Sequence, residues 1–222
     1  MDRRRAVLWD MDGTLVDSGE YHFAAWQETL AGERVDLSRE RFTESFGQRN
    51  DEILRGHFGP NLANEEIARI GGIKEVRYRR LVRDQGIEPL PGVRAWLSRL
   101  AARGWRQAIA SSAPRQNIDT MLAALGLTDL FDATACAEDV QRGKPDPQIY
   151  IVAASRVEVD ASRCVVVEDA PAGIEAARRA GMRVIGVRFT HADLDADRVV
   201  DSLEELTDDA FEQLLLQPRR RE

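Results

Sequence analysis

The 222 residues suffice for one or two compact domains, and 43% hydrophobic against 31% charged residues is the balance of a soluble chain that buries a core. Lysine and arginine number 31 against 38 aspartates and glutamates, a formal charge of −7, so the basic surplus of a nucleic-acid binder is missing. The short basic runs Arg3-Arg4-Arg5 and Arg219-Arg220-Arg221 read as solvated tails, while Cys136 and Cys164 offer neither a disulfide framework nor zinc-ligand spacing and read as buried thiols.

In chain order, the first apolar run is Ala6–Trp9. It has the length of a strand but is too short for a signal peptide's apolar segment, and no later stretch could cross a bilayer. The expected setting is cytoplasmic, with no membrane partner. From Ser18 to Leu90 no strand-like run occurs; Tyr21–Leu30 and Glu65–Arg83 read as helices. That interval is too long for an ordinary crossover. The expectation is a small helical domain, 18–90, inserted into an α/β domain made of 1–17 and 91–222.

Beyond it, Val93, Trp96, Leu97 and Leu100 fall at helical spacing and are followed by Gly104; Ile118, Met121, Leu122 and Leu125 do the same before Gly126. Strand-length apolar runs stand at Ala108–Ala110, Cys164–Val167 and Val184–Val187, and Pro171–Ala180 reads as a helix with proline in its first turn and Gly181 after its end. Unalternating apolar strands separated by amphipathic helices imply a doubly wound, parallel α/β sheet.

Ligand sites in open α/β sheets form at the carboxyl ends of the strands. Here the first run ends in Asp10-Met11-Asp12-Gly13-Thr14, the second in Ser111-Ser112 and the third in Glu168-Asp169. Lys144 stands in the turn Gly143-Lys144-Pro145-Asp146-Pro147. If these ends are neighbours, the crevice collects carboxylates, hydroxyls and an ammonium. Crowded carboxylates need a counter-charge, and a hard divalent cation that shares its shell with phosphate oxygens supplies one. In such a site Asp10 is a candidate nucleophile and Asp12 a candidate acid/base. Ser111 and Ser112 are placed to hold phosphate oxygens, and Lys144 to stabilise the charge spreading over them in the transition state.

The DxDGT loop at Asp10–Thr14, the strand-end Ser111, the GKPDP lysine Lys144 and the acidic pair Glu168-Asp169, in that order, resemble the haloacid dehalogenase-like superfamily, in the helical-cap branch that includes β-phosphoglucomutase and many small phosphatases. The resemblance covers nearly the whole chain. It implies Asp10 as nucleophile, Asp12 as acid/base, and magnesium held by the Asp10 side chain, the Asp12 backbone carbonyl and Asp169, with Glu168 adjacent and a candidate further ligand. It also implies a cap that closes over the site during turnover.

The segment Glu20–Trp26 resembles the start of β-phosphoglucomutase caps, which implies that His22 and Trp26 lie near a sugar phosphate. Arg49 and Arg115 are candidates for gripping a second phosphate or a sugar hydroxyl, Lys74 and Tyr78 share a helix face as in another mutase element, and Asp17 and Ser18 read as hinge residues. Thr14 stands where mutases usually carry valine, and Ser112-Ala113-Pro114 lacks the polar side chains of a mutase's distal phosphate site. The expected activity is therefore magnesium-dependent hydrolysis of a small phosphorylated metabolite, a sugar phosphate first among them, through an aspartyl phosphate and by a monomer. The alternatives are a β-phosphoglucomutase and a non-catalytic metal- or phosphate-binding module. Loss of the nucleophile or the lysine would mark the last, and this chain keeps both.

Overall fold

The computed structural model describes residues 4–217, so Arg3 and Arg219–Arg221 of the expected tails lie outside the described residues. Arg4 and Arg5 are not free: Arg4 donates to Glu158 at 2.6 Å and Arg5 lies over the Trp105 ring at 4.5 Å. Both cysteines are buried free thiols, as expected.

Among the described residues, six strands build one sheet: β1 (Ala6–Trp9), β2 (Arg106–Ala110), β3 (Ala133–Ala135), β4 (Cys164–Glu168), β5 (Arg183–Val187) and β6 (Arg198–Val200). All pairings are parallel, in the order β3-β2-β1-β4-β5-β6. The four predicted runs became β1, β2, β4 and β5. β3 and β6 escaped prediction because each is three residues long and only partly buried at a sheet edge, which leaves no apolar run to read.

Four helices lie between β1 and β2 before the core resumes: α1 (Gly19–Gly32), α2 (Arg39–Ser45), α3 (Asn50–Phe58) and α4 (Asn64–Gln85). They bury a core of their own around Trp26, Leu30, Phe42, Leu54 and Ile70. The chain leaves and re-enters the sheet domain side by side: Val16 pairs antiparallel with Pro89, and the Leu90 amide donates to the Leu15 carbonyl at 2.8 Å. The remaining helices are α5 (Val93–Ala102), α6 (Arg115–Leu125), α7 (Gln148–Arg156), α8 (Pro171–Arg179) and α9 (Ala210–Leu216). Gly126 ends α6 in the left-handed conformation, φ 63°, that the sequence stop signal requires.

Strand alternation divides the core into two layers. Val7 and Trp9 pack with α5, α6 and α9; Ala6 and Leu8 pack with α7 and α8. Every residue of β1 is fully buried, and each such large side chain contributes about 1.5–3 kcal/mol by leaving water.

The topology places the site. From β1 the chain winds outward through β2 to β3, then returns to β4 on the other side of β1. That reversal leaves a crevice at the carboxyl end of β1, where Asp10 is the first residue past the strand.

Candidate active site

The four expected segments meet there. Lys144 Nζ donates to Asp10 Oδ1 at 2.5 Å and to Glu168 Oε1 at 2.7 Å. Asp10, Asp12, Ser111, Ser112, Lys144 and Asp169 all border a cavity of about 290 Å³ between the sheet and the inserted helices. Ser111 follows β2 directly, and its Oγ accepts the Ala113 amide at 3.1 Å. That leaves the hydroxyl proton for a ligand oxygen. The cap of α6 falls at Pro114 instead.

Asp10, Glu168 and Asp169 each offer an oxygen within 4.8 Å of the others, and all three are buried. Glu168 is already committed: Oε1 accepts from Lys144 and from the Tyr150 hydroxyl at 3.1 Å, and Oε2 accepts the Ala170 amide at 2.7 Å. Through Oε1 it holds Lys144. Asp10 and Asp169 retain free oxygens, so the cluster has the composition of a hard-cation site. Glycine is needed on both sides of it. A Cβ at Gly13, where φ is +86°, would overlap the Asp169 carboxylate, and one at Gly173 would overlap Glu168.

Electrostatics agree with an excess of buried negative charge. Burial drives the Asp10 carboxyl well above its usual range; Lys144 opposes this, and the Glu168 and Asp169 charges reinforce it. Burial, followed by the Glu168 charge, pushes Asp169 up to about 7. Burial alone would discharge Lys144, but the Asp10 and Glu168 carboxylates outweigh it and hold the ammonium.

Asp12 faces a different environment. Ser18, fully buried at the start of α1, donates its hydroxyl to Asp12 Oδ1, and His22 Nε2 lies 3.3 Å from the same oxygen. Burial pushes Asp12 up, but His22, Ser18 and Lys74 together bring it below the usual carboxylate range. His22 is itself lowered by burial and by the Lys74 charge. Lys74 Nζ can only donate, and it lies 2.9 Å from His22 Nδ1; the ring proton therefore sits on Nε2 and points at Asp12. Tyr78 stacks on the ring, centroids 4.1 Å apart, and keeps it there.

His22, Trp26 and Lys74 border the cavity. Arg49 and Arg115 do not. Arg49 donates to the Val140 carbonyl at 3.1 Å and to Asp51 at 3.1 Å, and Arg115 donates to the Thr134 carbonyl at 3.0 Å. The physical reason is the open edge at β3 and the turn after it, whose outward carbonyls need donors. Sequence reading took Ser18 for a hinge and passed over Tyr150, Thr190, Glu75 and Asn117. Only Thr190 carried a signal: it stands three residues past β5, at the carboxyl edge of the sheet, where it hydrogen-bonds Asp169.

Residues 4–181 match the family model for haloacid dehalogenase-like hydrolases. The β-phosphoglucomutase of Bacillus subtilis is 32% identical over 209 residues, covering 91% of this chain and 92% of its own. The fructose-1-phosphate phosphatase YqaB of Escherichia coli is 31% identical over 191 residues, covering 85% and 98%. Among solved structures, a mutant of CbbY from Rhodobacter sphaeroides in complex with xylulose 1,5-bisphosphate superposes with a TM-score of 0.84 at 30% identity, covering 91% of this chain and 96% of that one. The chain belongs to the haloacid dehalogenase-like hydrolase family.

Proposed function

We propose that this haloacid dehalogenase-like hydrolase is a magnesium-dependent phosphomonoesterase acting on a small sugar phosphate through an aspartyl phosphate. The observation that carries the reading is Lys144, held between Asp10 and Glu168 on the wall of a cavity that Asp12 and Ser111 also border. In the first half-reaction an Asp10 carboxylate oxygen attacks phosphorus, the phosphorus–ester oxygen bond breaks, and Asp12 gives the leaving oxygen a proton. The arriving phosphate dianion raises the Asp12 pKa and loads it with that proton. In the second half, water attacks phosphorus, its proton passes to Asp12, and release of inorganic phosphate restores Asp10. Ser111 and Lys144 bind the phosphoryl oxygens throughout. Magnesium, held by Asp10, Asp169 and the Asp12 carbonyl, would supply charge neutralisation.

The named activities of the relatives, fructose-1-phosphate phosphatase and β-phosphoglucomutase, set the test. A panel of fructose 1-phosphate, glucose 6-phosphate, sorbitol 6-phosphate and xylulose 1,5-bisphosphate is assayed with magnesium and with chelator. Magnesium-dependent release of phosphate from at least one monophosphate is expected; none from any member rejects the reading. A mutase is the second reading, favoured by His22, Trp26 and Lys74 on the cavity wall. Incubation with β-glucose 1-phosphate and glucose 1,6-bisphosphate separates the two, because a mutase forms glucose 6-phosphate faster than free phosphate.

Metal occupancy has a pH signature. With Asp10 and Asp169 raised, the metal-free folded state keeps protons that the unfolded chain has lost, at Asp169 from the ordinary carboxylate range up to about pH 7. Stability from this source is therefore present at low pH and is lost as pH rises through that window. A cation binds the ionised form and restores it. The rise in Tm on adding magnesium is expected to be larger at about pH 8 than at about pH 5; an equal rise at both removes Asp10 and Asp169 as its ligands.

A further inference from the structure

Glu75 is a buried carboxylate that the proposed reaction does not use. One side chain joins three elements: Oε1 accepts from Lys74 Nζ at 2.9 Å and from Asn50 Nδ2 of α3 at 2.7 Å, and Oε2 accepts from Asn117 Nδ2 of α6. Asn117 is fully buried, and its carbonyl oxygen accepts from Arg79 Nη1 at 2.9 Å, so both ends of its amide are committed. Glu75 and Arg79 lie one turn apart on α4, so α4 grips a single asparagine of the sheet domain with a carboxylate and a guanidinium. Burying the Lys74, Glu75 and Asn117 side chains in one place costs free energy unless each is satisfied, and here each has hydrogen-bond partners.

The bridge ends where the acid/base network begins. Lys74, whose only carboxylate partner among the described ion pairs is Glu75, lies 2.9 Å from His22 Nδ1, and His22 Nε2 lies 3.3 Å from Asp12. Asn117 belongs to the first turn of α6, the helix that leads out of the Ser111–Pro114 loop bordering the cavity. The same contacts therefore tie the loop that holds phosphate to the residue that moves the proton.

We infer that Glu75 and Asn117 are a positioning pair: by locking α4 onto α6 they hold Lys74 against His22, and so fix the Asp12 proton-transfer geometry. The inference rests on the phosphatase reading and on Asp12 as its acid/base. If the bridge only glues two layers together, every substrate suffers alike when it is cut. If it positions Asp12, the loss depends on how much the leaving group needs a proton.

The test compares Glu75→Gln and Asn117→Ala with the wild-type holoenzyme on two esters: the panel sugar phosphate turned over fastest, and p-nitrophenyl phosphate, whose phenolate leaves without protonation. The quantity read is kcat/KM, which reports on phosphoryl transfer to Asp10. The expected loss is about 10- to 100-fold on the sugar phosphate, the scale of a misplaced catalytic group, and less than about 3-fold on the aryl ester. The double variant should lose about as much as either single one, because each cuts the same bridge. Equal losses on both esters, or no loss on either, overturn the proposal, as does a double variant whose losses multiply. Thermal unfolding and magnesium-dependent aryl phosphate hydrolysis verify that each variant is folded. A wild-type protein that cleaves neither ester overturns the phosphatase reading and this inference with it.

Discussion

Replacing Asp10 with asparagine is expected to lower turnover by about 10⁴-fold or more, the scale of losing a covalent nucleophile, while leaving the fold intact. The side chain is almost isosteric, and burial already drives this carboxyl far above its usual range, so the site tolerates a neutral group there without new strain. Lys144 keeps Glu168 at 2.7 Å as its partner. The metal-free Asp10→Asn protein should therefore unfold at or above the wild-type temperature. Rapid-quench or mass-spectrometric analysis after substrate addition should find phosphate on the wild-type protein and none on the variant. Hydrolysis retained within about tenfold of wild type would remove Asp10 as the nucleophile.

Lys144→Met is expected to damage both activity and stability. The ammonium stands between Asp10 and Glu168 with only 8% of its side chain exposed, so its removal leaves three neighbouring buried carboxylates facing one another. Breaking a buried ion pair from one side typically costs about 3–5 kcal/mol, and loss of a phosphoryl-stabilising cation about 10²- to 10³-fold or more in rate. The stability deficit carries a sign. Without the lysine the Asp10 and Asp169 carboxyls are pushed higher still, so the folded variant holds excess protons over a wider range and loses stability as pH rises. The Tm difference from wild type should accordingly widen between about pH 5 and about pH 8. Magnesium should narrow it without restoring activity, because the cation offsets the carboxylate charge but does not reach the phosphoryl oxygens from the lysine's side. A deficit that does not change with pH would show that Lys144 acts through packing alone.

Much of the catalytic crevice was legible because its parts are local. Asp10 to Thr14 is a compact acidic loop that gains its meaning from the other three motifs following in order, and Glu168 and Asp169 close a strand-length apolar run. Ser18, Glu75 and Asn117 were not legible, since nothing near them in the chain announces a partner. Ser18 donates to a residue six positions earlier, Glu75 to Asn117 spans 42 positions, and Lys144 to Asp10 spans 134. Arg49 and Arg115 show the converse: a long cation satisfies whichever acceptor the fold offers first, and here that was a row of carbonyls beside the β3 edge strand.

The sequence by itself determined the parallel α/β class, the long helical insertion after the first strand, and the residue types at four strand-end or loop positions. Those follow from periodicity, apolar runs and turn chemistry, which act over one or two turns of chain. Only the tertiary structure decided that strand order reverses at β1, that Lys144 is shared by two carboxylates, and that α4 docks through Glu75 onto Asn117. Such facts depend on which distant surfaces pack together, and a buried charge reveals its role only once its partners are in place.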